Sequence, residues 1–174
     1  MSSVTADRIG IRRLERAGEL DLVEPLWVAL HQHHRTVTPA GMLVADDAVS
    51  WQRRRALYRE WLAAGDALIL LAQCEGAAVG YAVAHLQDGP DDTFAVGERY
   101  AELYSLSVAP AARGAGVGTR LLDDLDRRLA DDGILDLVVA VMAGNRDALR
   151  FYERRGLVPA ETHLWRIAGD SRPG

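Results

Sequence analysis

The sequence predicts a single α/β (α+β) domain, in which about four helices flank a mixed central sheet of six or seven strands. Residues 101–129 join a β-rich segment, a glycine-rich turn and an amphipathic helix, and residues 134–141 are nearly all aliphatic. This order of strand, helix and strand implies a right-handed crossover between parallel neighbours. Residues 67–74 and 78–87, separated by a short turn, predict an antiparallel hairpin, which makes the sheet mixed.

The composition is that of one globular domain. The chain has 174 residues, 49% of them hydrophobic and 26% charged, which is enough to bury a core. We expect residues 1–174 to form one domain with an ordered core over 8–168 and tails at 1–7 and 169–174. The net charge of −5 argues against a nucleic-acid partner and suits a cationic or neutral substrate.

No stretch of the sequence predicts export or membrane insertion. The first residues contain no apolar run, and no window approaches the roughly 18 apolar residues of a membrane span. Cys74 is the chain's single cysteine and lies in a predicted buried strand, so no internal disulfide is possible. We therefore expect a cytoplasmic protein without a membrane partner.

The N-terminal part predicts one strand and two helices. Residues 8–14 alternate between apolar and charged side chains, as expected of a half-exposed strand. Residues 17–34 change to a helical period, and Pro25 indicates that this helix begins near Glu24 or is kinked. A loop over 36–47 then precedes a second helix over 50–64.

Three histidines, His31, His33 and His34, cluster at the end of the first helix. A metal site is one interpretation, although no Asp, Glu or Cys stands at ligand spacing, and we expect no metal. Contact with the negative end of the helix dipole is another, and the wall of an acceptor pocket is a third. The aromatic residues of the second helix favour core packing over a substrate wall by about two to one.

The C-terminal part predicts one more helix and two closing strands. Asn145 begins the helix, either as its N-cap, as a ligand contact or as both. Residues 157–159 and 162–167 are expected to be strands. The acidic segment 88–92 indicates a solvated loop more than a cation-binding rim.

The turn from Arg113 to Gly118 predicts an anion site. Its three glycines permit positive φ and lack Cβ atoms, so successive backbone N–H groups can converge on one ligand. The first N–H groups of the following helix are unpaired and lie at the positive end of its dipole. Phosphate or pyrophosphate suits such a site best, with charge from Arg113 and a hydrogen bond from Thr119. Ordinary turn geometry is the alternative.

Two other phosphate motifs fit poorly. A P-loop requires Gly-Lys-Ser/Thr, whereas Gly118 is followed by Thr119 and Arg120. A dinucleotide fingerprint would place its third glycine at Thr119 and lacks the acidic residue after the next strand. A dehydrogenase is therefore a remote alternative.

The stretch Arg113-Gly114-Ala115-Gly116-Val117-Gly118, directly after Leu106-Ser107-Val108, closely resembles the acetyl-CoA motif of the GNAT superfamily of acyltransferases. A second stretch, from Asn145 to Leu157, resembles that family's N…A…FYE..GF helix and turn, with Leu157 in place of the usual aromatic residue. The resemblance implies the GNAT fold, in which the parallel strands 4 and 5 splay apart around the pantetheine arm. It implies acetyl-CoA as co-substrate, bound by Leu106, Ser107, Val108, Arg113, Gly114, Ala115, Gly116, Val117, Gly118, Thr119, Asn145, Ala148 and Tyr152.

The resemblance also implies two catalytic residues. Ala101-Glu102-Leu103 is similar to the segment that holds the general base of histone-acetyltransferase members, and Tyr152 corresponds to the family's tyrosine facing the cofactor sulfur. An amine has a pKa near 10.4 and a glutamate near 4.3, so direct proton transfer is uphill by about 8 kcal/mol unless burial or a bridging water assists. By strand parity, Glu102, Tyr104 and Leu106 share one face. A backbone N–H near Leu106 or Val108 would stabilise the developing oxyanion.

The sequence thus predicts an acetyl-CoA-dependent N-acetyltransferase that acts by direct attack in a ternary complex on a small-molecule amine or a protein amino group. The residues expected to contact this acceptor are Trp27, His31, His34 and Tyr104. The alternative is a GNAT-like protein that binds acyl-CoA without turnover. The family also suggests a homodimer.

Overall fold

The computed structural model describes residues 8–89 and 93–167. The predicted tails, residue 168 and residues 90–92 of the acidic loop lie outside these ranges. Within them, no helix is both long enough and apolar enough to cross a membrane.

Five strands form one sheet in the order β1-β2-β3-β4-β5. The pairs from β1 to β4 are antiparallel, and β4 pairs with β5 in parallel. The predicted hairpin is confirmed: its first strand has the predicted bounds, and its second strand is one residue longer at each end. The strands are β1 (Ile9–Leu14), β2 (Ala67–Cys74), β3 (Ala77–Asp88), β4 (Arg99–Val108) and β5 (Leu137–Val139).

Four α-helices flank the sheet, as predicted. They are α1 (Glu24–Thr36), α2 (Asp47–Ala64), α3 (Val117–Asp131) and α4 (Arg146–Glu153). Of the two alternatives for the first helix, the start near Glu24 is confirmed: α1 carries Pro25 in its first turn, and a separate 3₁₀ turn over Ala17–Leu22 precedes it. A second 3₁₀ turn, Pro110–Ala112, leads from β4 towards α3.

Two hydrophobic clusters lie on opposite faces of the sheet. The first contains Trp27, Trp51 and Tyr58 from α1 and α2, so core packing does account for two of the α2 aromatic residues. The second contains the Val117, Leu121, Leu125 and Leu129 stripe of α3, together with Tyr152 of α4. The sheet therefore separates a face covered by α1 and α2 from a face covered by α3 and α4.

The C-terminal strands differ from the prediction. The sheet has five strands because residues 157–159 and 162–167 form none, and β5 covers only three residues of the predicted 134–141. The prediction that this strand is buried on both faces is wrong, since Leu135 is 82% exposed and Val138 is 48% exposed. Without closing strands beside it, β5 is the edge of the described sheet, and Val138 at its centre is exposed.

A β-bulge in β4 changes the direction of its side chains. The register with β3 shifts so that Leu103 faces Ala84 while Ser105 faces Val83, which leaves Tyr104 as the extra residue. Ser105 and Ser107 therefore point to the α1 and α2 face, whereas Leu106 packs in the α3 cluster. The prediction that Leu106 shares a face with Glu102 and Tyr104 is wrong, because the bulge reverses the parity after Tyr104.

Gly80 in β3 permits the close approach of α3 to the sheet. A Cβ there would lie 2.9 Å from Val117 Cγ1, 3.0 Å from the Ser107 carbonyl oxygen and 3.2 Å from Leu121 Cδ1. Such contacts are too short for any side chain. Gly80 thus sets how closely the start of α3 sits against β3 and β4.

Candidate functional site

The start of α3 presents a cluster of free backbone donors. Gly114 and Gly116 adopt the left-handed conformation with φ of 79° and 77°, and Gly116 is the N-cap of α3. The first backbone bond of the helix is donated by Arg120 to the Gly116 carbonyl. The N–H groups of residues 117–119 therefore have no acceptor within the described chain and point out of the helix end.

The side chains around this turn leave its donors accessible. A Cβ at Gly114 or Gly116 would meet no atom within 4 Å, so open space lies beside both. Thr119 is exposed, and the Arg113 Nε donates a long 3.4 Å hydrogen bond to the Val108 carbonyl. The donor set, made of amides at the positive end of a 15-residue helix, fits a pyrophosphate group.

A gap opens between β4 and β5 next to this turn. The two strands pair only from Ala101↔Leu137 to Leu103↔Val139, while β4 continues to Val108. Over residues 8–89 and 93–167, the β5-facing edge of β4 therefore has no strand partner from Tyr104 onward. This is the predicted splay, and it exposes backbone groups that an extended ligand could pair with.

Two predicted ligand contacts also have structural roles. The Ser107 hydroxyl is buried and donates to the Leu26 carbonyl at 3.0 Å, so only the backbone of Ser107 faces the splay. The Asn145 side chain accepts a 3.2 Å hydrogen bond from the Ala148 N–H, which confirms its N-cap role at α4. On the far side of the gap, Gly144 packs against the Val37 backbone and joins the β5–α4 loop to the end of α1.

Tyr152 lies in the α3 and α4 cluster with 8% of its surface exposed. Its ring packs edge-on to Phe151 with centroids 5.4 Å apart. Burial raises the pKa of its phenol well above the usual value, because the charged form loses its hydration. The hydroxyl therefore stays protonated and is available as a hydrogen-bond donor.

Glu102 lies on the opposite face, at the last paired stretch before the splay. Its carboxylate accepts a 2.8 Å hydrogen bond from the Gln87 Nε2, and the Gln87 Oε1 accepts a 3.2 Å bond from the Tyr100 hydroxyl. These hydrogen bonds orient one carboxylate oxygen of Glu102, and no described residue bonds to the other.

Aromatic rings form the surface beside Glu102. His85, the cross-strand neighbour of Glu102, stacks on Trp61 of α2 with centroids 4.0 Å apart. Trp61 in turn meets Tyr104 edge-on at 4.8 Å. Unlike the core residues Trp51 and Tyr58, Trp61 therefore contributes to the wall of the candidate site.

A pocket of about 210 Å³ follows beyond Tyr104, lined by side chains of α1, α2 and β4. Arg54 lies between the rings of Trp27 and Tyr104, with its Cζ 4.2 Å and 4.4 Å from their centroids. Two of the predicted acceptor residues, Trp27 and Tyr104, thus come together around an arginine that the sequence analysis did not select.

The histidines have separate environments. The buried His31 ring stacks on Trp27, and its Nε2 lies 2.7 Å from the Val44 carbonyl oxygen, which ties the α1–α2 loop to α1. The pKa of His34 falls to about 4, mainly through burial and then through the charges of His33, His31 and Arg54. Over the described residues, no group of side chains could hold a metal ion.

Gln87 and Arg54 were missed in the sequence. Gln87 ends a predicted hairpin strand and Arg54 lies in an arginine-rich stretch of α2, so neither stands out from solvated neighbours. One signal was present for Arg54, since the 3.6-residue period places it on the same helix face as Tyr58 and Trp61.

Comparison with known proteins identifies the architecture. The model of a family described as the acetyltransferase (GNAT) family matches residues 27–157. A protein from Clostridium acetobutylicum described as a predicted acetyltransferase, solved with acetyl-CoA, superimposes with a TM-score of 0.69 and 15% identity. The match covers 91% of this chain and 96% of that one.

Two curated relatives are similar in sequence. The mycothiol acetyltransferase of Amycolatopsis mediterranei is 32% identical over 124 residues, which is 71% of this chain and 38% of that protein. The L-2,4-diaminobutyric acid acetyltransferase of Nocardia farcinica is 25% identical over 156 residues, covering 87% of this chain and 69% of that protein. The chain spans 22% to 38% of the length of the mycothiol acetyltransferases that it matches.

Proposed function

The chain belongs to the GNAT acetyltransferase family, and we propose that it is an N-acetyltransferase that uses acetyl-CoA and a primary amine. In this proposal both substrates bind together and the amine attacks the thioester directly. The observation that carries it is the placement of the free amides of α3 beside the unpaired edge of β4, with Glu102 and Tyr152 on either side of that strand.

The start of α3 is the proposed pyrophosphate site. The N–H groups of Val117, Gly118 and Thr119 would donate to phosphate oxygens, and the helix dipole would favour their charge. The edge of β4 from Tyr104 to Val108 would pair with the pantetheine amides and offer an N–H to the carbonyl oxygen of the acetyl group. Acetyl-CoA supplies the activated acetyl group, and a GNAT-fold neighbour has been solved with that ligand.

Glu102 is the proposed general base. Its carboxylate would take the proton from the ammonium form of the acceptor, directly or through a water molecule, so that the nitrogen lone pair becomes available. The Gln87 amide holds one oxygen of Glu102 and leaves the other to face the acceptor.

Tyr152 is the proposed partner of the leaving sulfur. Because burial keeps its phenol protonated, the hydroxyl can donate a hydrogen bond to negative charge that develops on the thiolate. It acts from the α4 face, opposite Glu102, so the proposed base and the proposed donor approach the reacting groups from different sides of β4.

The acceptor enters over the aromatic face formed by Trp61, His85 and Tyr104. We propose a small-molecule amine, because the open face leads to a pocket of only about 210 Å³. The names of the two curated relatives support this size class, since they act on mycothiol or on L-2,4-diaminobutyric acid.

We also propose that two copies of the chain associate through residues 157–167. Leu164 and Trp165 in this segment are 93% and 75% exposed, which is unusual for such large apolar side chains. Light scattering on the purified protein would give the mass, and a monomer at micromolar concentration would contradict the proposal.

Thermal unfolding with acetyl-CoA, free CoA and NAD tests the donor site first. A ligand at 100 times its dissociation constant adds about 2.7 kcal/mol to the free energy of unfolding. We expect stabilisation by the two CoA species and none by NAD. Stabilisation by NAD alone would instead indicate a dehydrogenase.

Turnover then separates the enzyme from a protein that only binds acyl-CoA. Release of free CoA would be followed with thiol reagent over a set of primary amines. Stabilisation by acetyl-CoA without CoA release from any amine would overturn the catalytic part of the proposal and leave a binding protein. The absence of any stabilisation by CoA species would overturn both parts.

A further inference from the structure

Arg54 holds a positive charge in the acceptor pocket without an anion beside it. Its guanidinium lies between the rings of Trp27 and Tyr104, and its Nη1 is buried with no hydrogen-bond partner. A guanidinium carries five N–H donors, and contact with aromatic faces leaves them free to bond in its plane. No salt bridge joins Arg54 to a described residue.

Trp27 supplies a second unused donor in the same pocket. Its side chain is 5% exposed, and its Nε1 is buried without a partner. Buried donors in proteins nearly always have an acceptor, so two in one pocket call for an acceptor group from outside the chain. Both residues line the pocket of about 210 Å³, together with Ser50 and Tyr104.

Two nearby arginines, in contrast, have carboxylate partners. Arg55, the next residue in α2, lies 2.9 Å from Asp21, and Arg35 of α1 lies 3.2 Å from Asp47. Arg54 has no such partner among the described residues, and the exposed Arg53 that precedes it in α2 also lines the pocket. The low pKa of His34, to which the charge of Arg54 contributes, keeps that side chain neutral near pH 7.

We propose that the acceptor is an amine that also carries a carboxylate, and that Arg54 and the indole N–H of Trp27 bind this carboxylate. This inference rests on the proposed function and names the substrate class of the same site. A guanidinium matches the two oxygens of a carboxylate in a planar, charge-assisted pair.

The spacing along β4 suits an amino acid or a short peptide. Glu102 and Tyr104 are alternate residues of the strand, so their Cα atoms lie about 7 Å apart. Arg54 contacts the ring of Tyr104, and Glu102 faces the same side of the sheet. The carboxylate of the acceptor would sit against Arg54 while its amine reaches Glu102.

Matched pairs of acceptors test the inference. The kcat/KM would be measured for L-lysine against L-lysinamide and for glycylglycine against glycylglycinamide, with O-phosphoethanolamine as the phosphate-bearing amine. Losing a charged hydrogen-bond pair lowers affinity by about 10-fold to 100-fold. We expect the wild-type enzyme to favour each acid over its amide by this factor.

Variants locate the preference at Arg54. We expect Arg54→Gln to raise KM for the acids and to remove the preference, with kcat/KM for the amides changed less than about 3-fold. Trp27→Phe keeps the ring but removes the N–H, so the preference should fall by a smaller factor. Arg55→Gln is the control, because it breaks the ion pair with Asp21 outside the pocket and should leave the acid-to-amide ratio unchanged.

A binding measurement keeps the test independent of turnover. Calorimetry with CoA present would compare Nα-acetyl-L-lysine with its amide, which resemble products and require no catalysis. Tighter binding of the acid that disappears in Arg54→Gln would support the carboxylate site even if the protein proved inactive. Equal binding of acid and amide, equal losses for both in Arg54→Gln, or a preference for O-phosphoethanolamine would overturn it.

Discussion

The two halves of the candidate site are built in opposite ways. The donor half, residues 113–119, consists of backbone amides from one continuous turn and the first turn of α3. The acceptor half consists of side chains from α1, α2, β3 and β4, among them Trp27, Arg54, Gln87 and Glu102. Backbone amides are the same in every sequence, whereas side chains differ, so the first half suits a constant ligand and the second a specific one.

This difference implies opposite sensitivities to mutation. A site made of amides depends on φ and ψ, and most side-chain changes beside it are tolerated. A site made of side chains loses its function when a single charged or hydrogen-bonding group is removed from one of them. The predictions below test this contrast, from the largest expected effect to the smallest.

Glu102→Gln should have the largest effect. It keeps the size and the hydrogen bond from Gln87 but removes the proton acceptor, so kcat should fall by about 100-fold to 1,000-fold. Affinity for acetyl-CoA should change little. Steady-state kinetics would be compared with Glu98→Gln, an exposed glutamate outside the site. More than half of the wild-type kcat in Glu102→Gln would show that another group is the base.

Gly116→Val should weaken acetyl-CoA binding about 10-fold to 100-fold. A β-branched residue at φ of 77° is strained, and relief of that strain would move the amides of residues 117–119. The matched control is Gly133→Val, at φ of 75° just beyond the other end of α3. Titration of acetyl-CoA should show weakening only for Gly116→Val. Equal affinities in both variants would contradict a backbone-made site.

Tyr152→Phe should lower kcat about 10-fold with little effect on stability. The ring and its packing on Phe151 remain, and only the hydroxyl that would face the leaving sulfur is removed. The neighbouring variant Phe151→Leu is the packing control. It should lower the melting temperature and leave kcat close to that of the wild type. An unchanged kcat in Tyr152→Phe would exclude the proposed contact with sulfur.

Gly80→Ala should cost about 1–3 kcal/mol of unfolding free energy, because the new methyl group overlaps Val117 and the Ser107 carbonyl. It should also shift the start of α3 and weaken acetyl-CoA binding. Gly10→Ala is the control, because its added Cβ has no atom within 4 Å. Urea unfolding of this variant should show no loss of unfolding free energy. A stable Gly80→Ala would mean that α3 moves freely on the sheet.

The smallest expected effect concerns pH. The pKa of His34 is about 4 in the folded chain and near 6.5 when unfolded, so the unfolded chain binds more protons between these values. The stability that the neutral His34 side chain contributes is therefore fully present above pH 6.5 and is lost as the pH falls towards 4. Melting temperatures over this range should fall more steeply for wild type than for His34→Gln. Parallel curves would show that His34 is solvated.

Much of the fold could be predicted because its signals are local. The hairpin of β2 and β3 follows from alternation and a short turn, and α3 follows from leucines at four-residue spacing. The family motif at Arg113–Gly118 is equally local. The prediction of strands over 157–159 and 162–167 was wrong, because pairing of an apolar run with a sheet edge depends on tertiary contacts that the run itself does not determine.

The candidate site divides in the same way. The predicted roles of Glu102, Tyr152 and the turn residues stay predictions, and the structure places them around one strand edge. Leu106 was assigned to the wrong face because a bulge at Tyr104 is set by the register of β3, not by the sequence of β4. Gln87 and Arg54 were missed because their neighbours come from other elements.

The sequence by itself determined the order of the elements, the turn that begins α3 and the carboxylate that precedes the splay, because each depends on residues close together in the chain. The tertiary structure decided which face each side chain of β4 occupies, where β5 ends and what surrounds Arg54. These depend on pairing and packing between distant segments. An arginine whose Nη1 is buried without a partner is recognised only when the described neighbours that could bond to it have been placed.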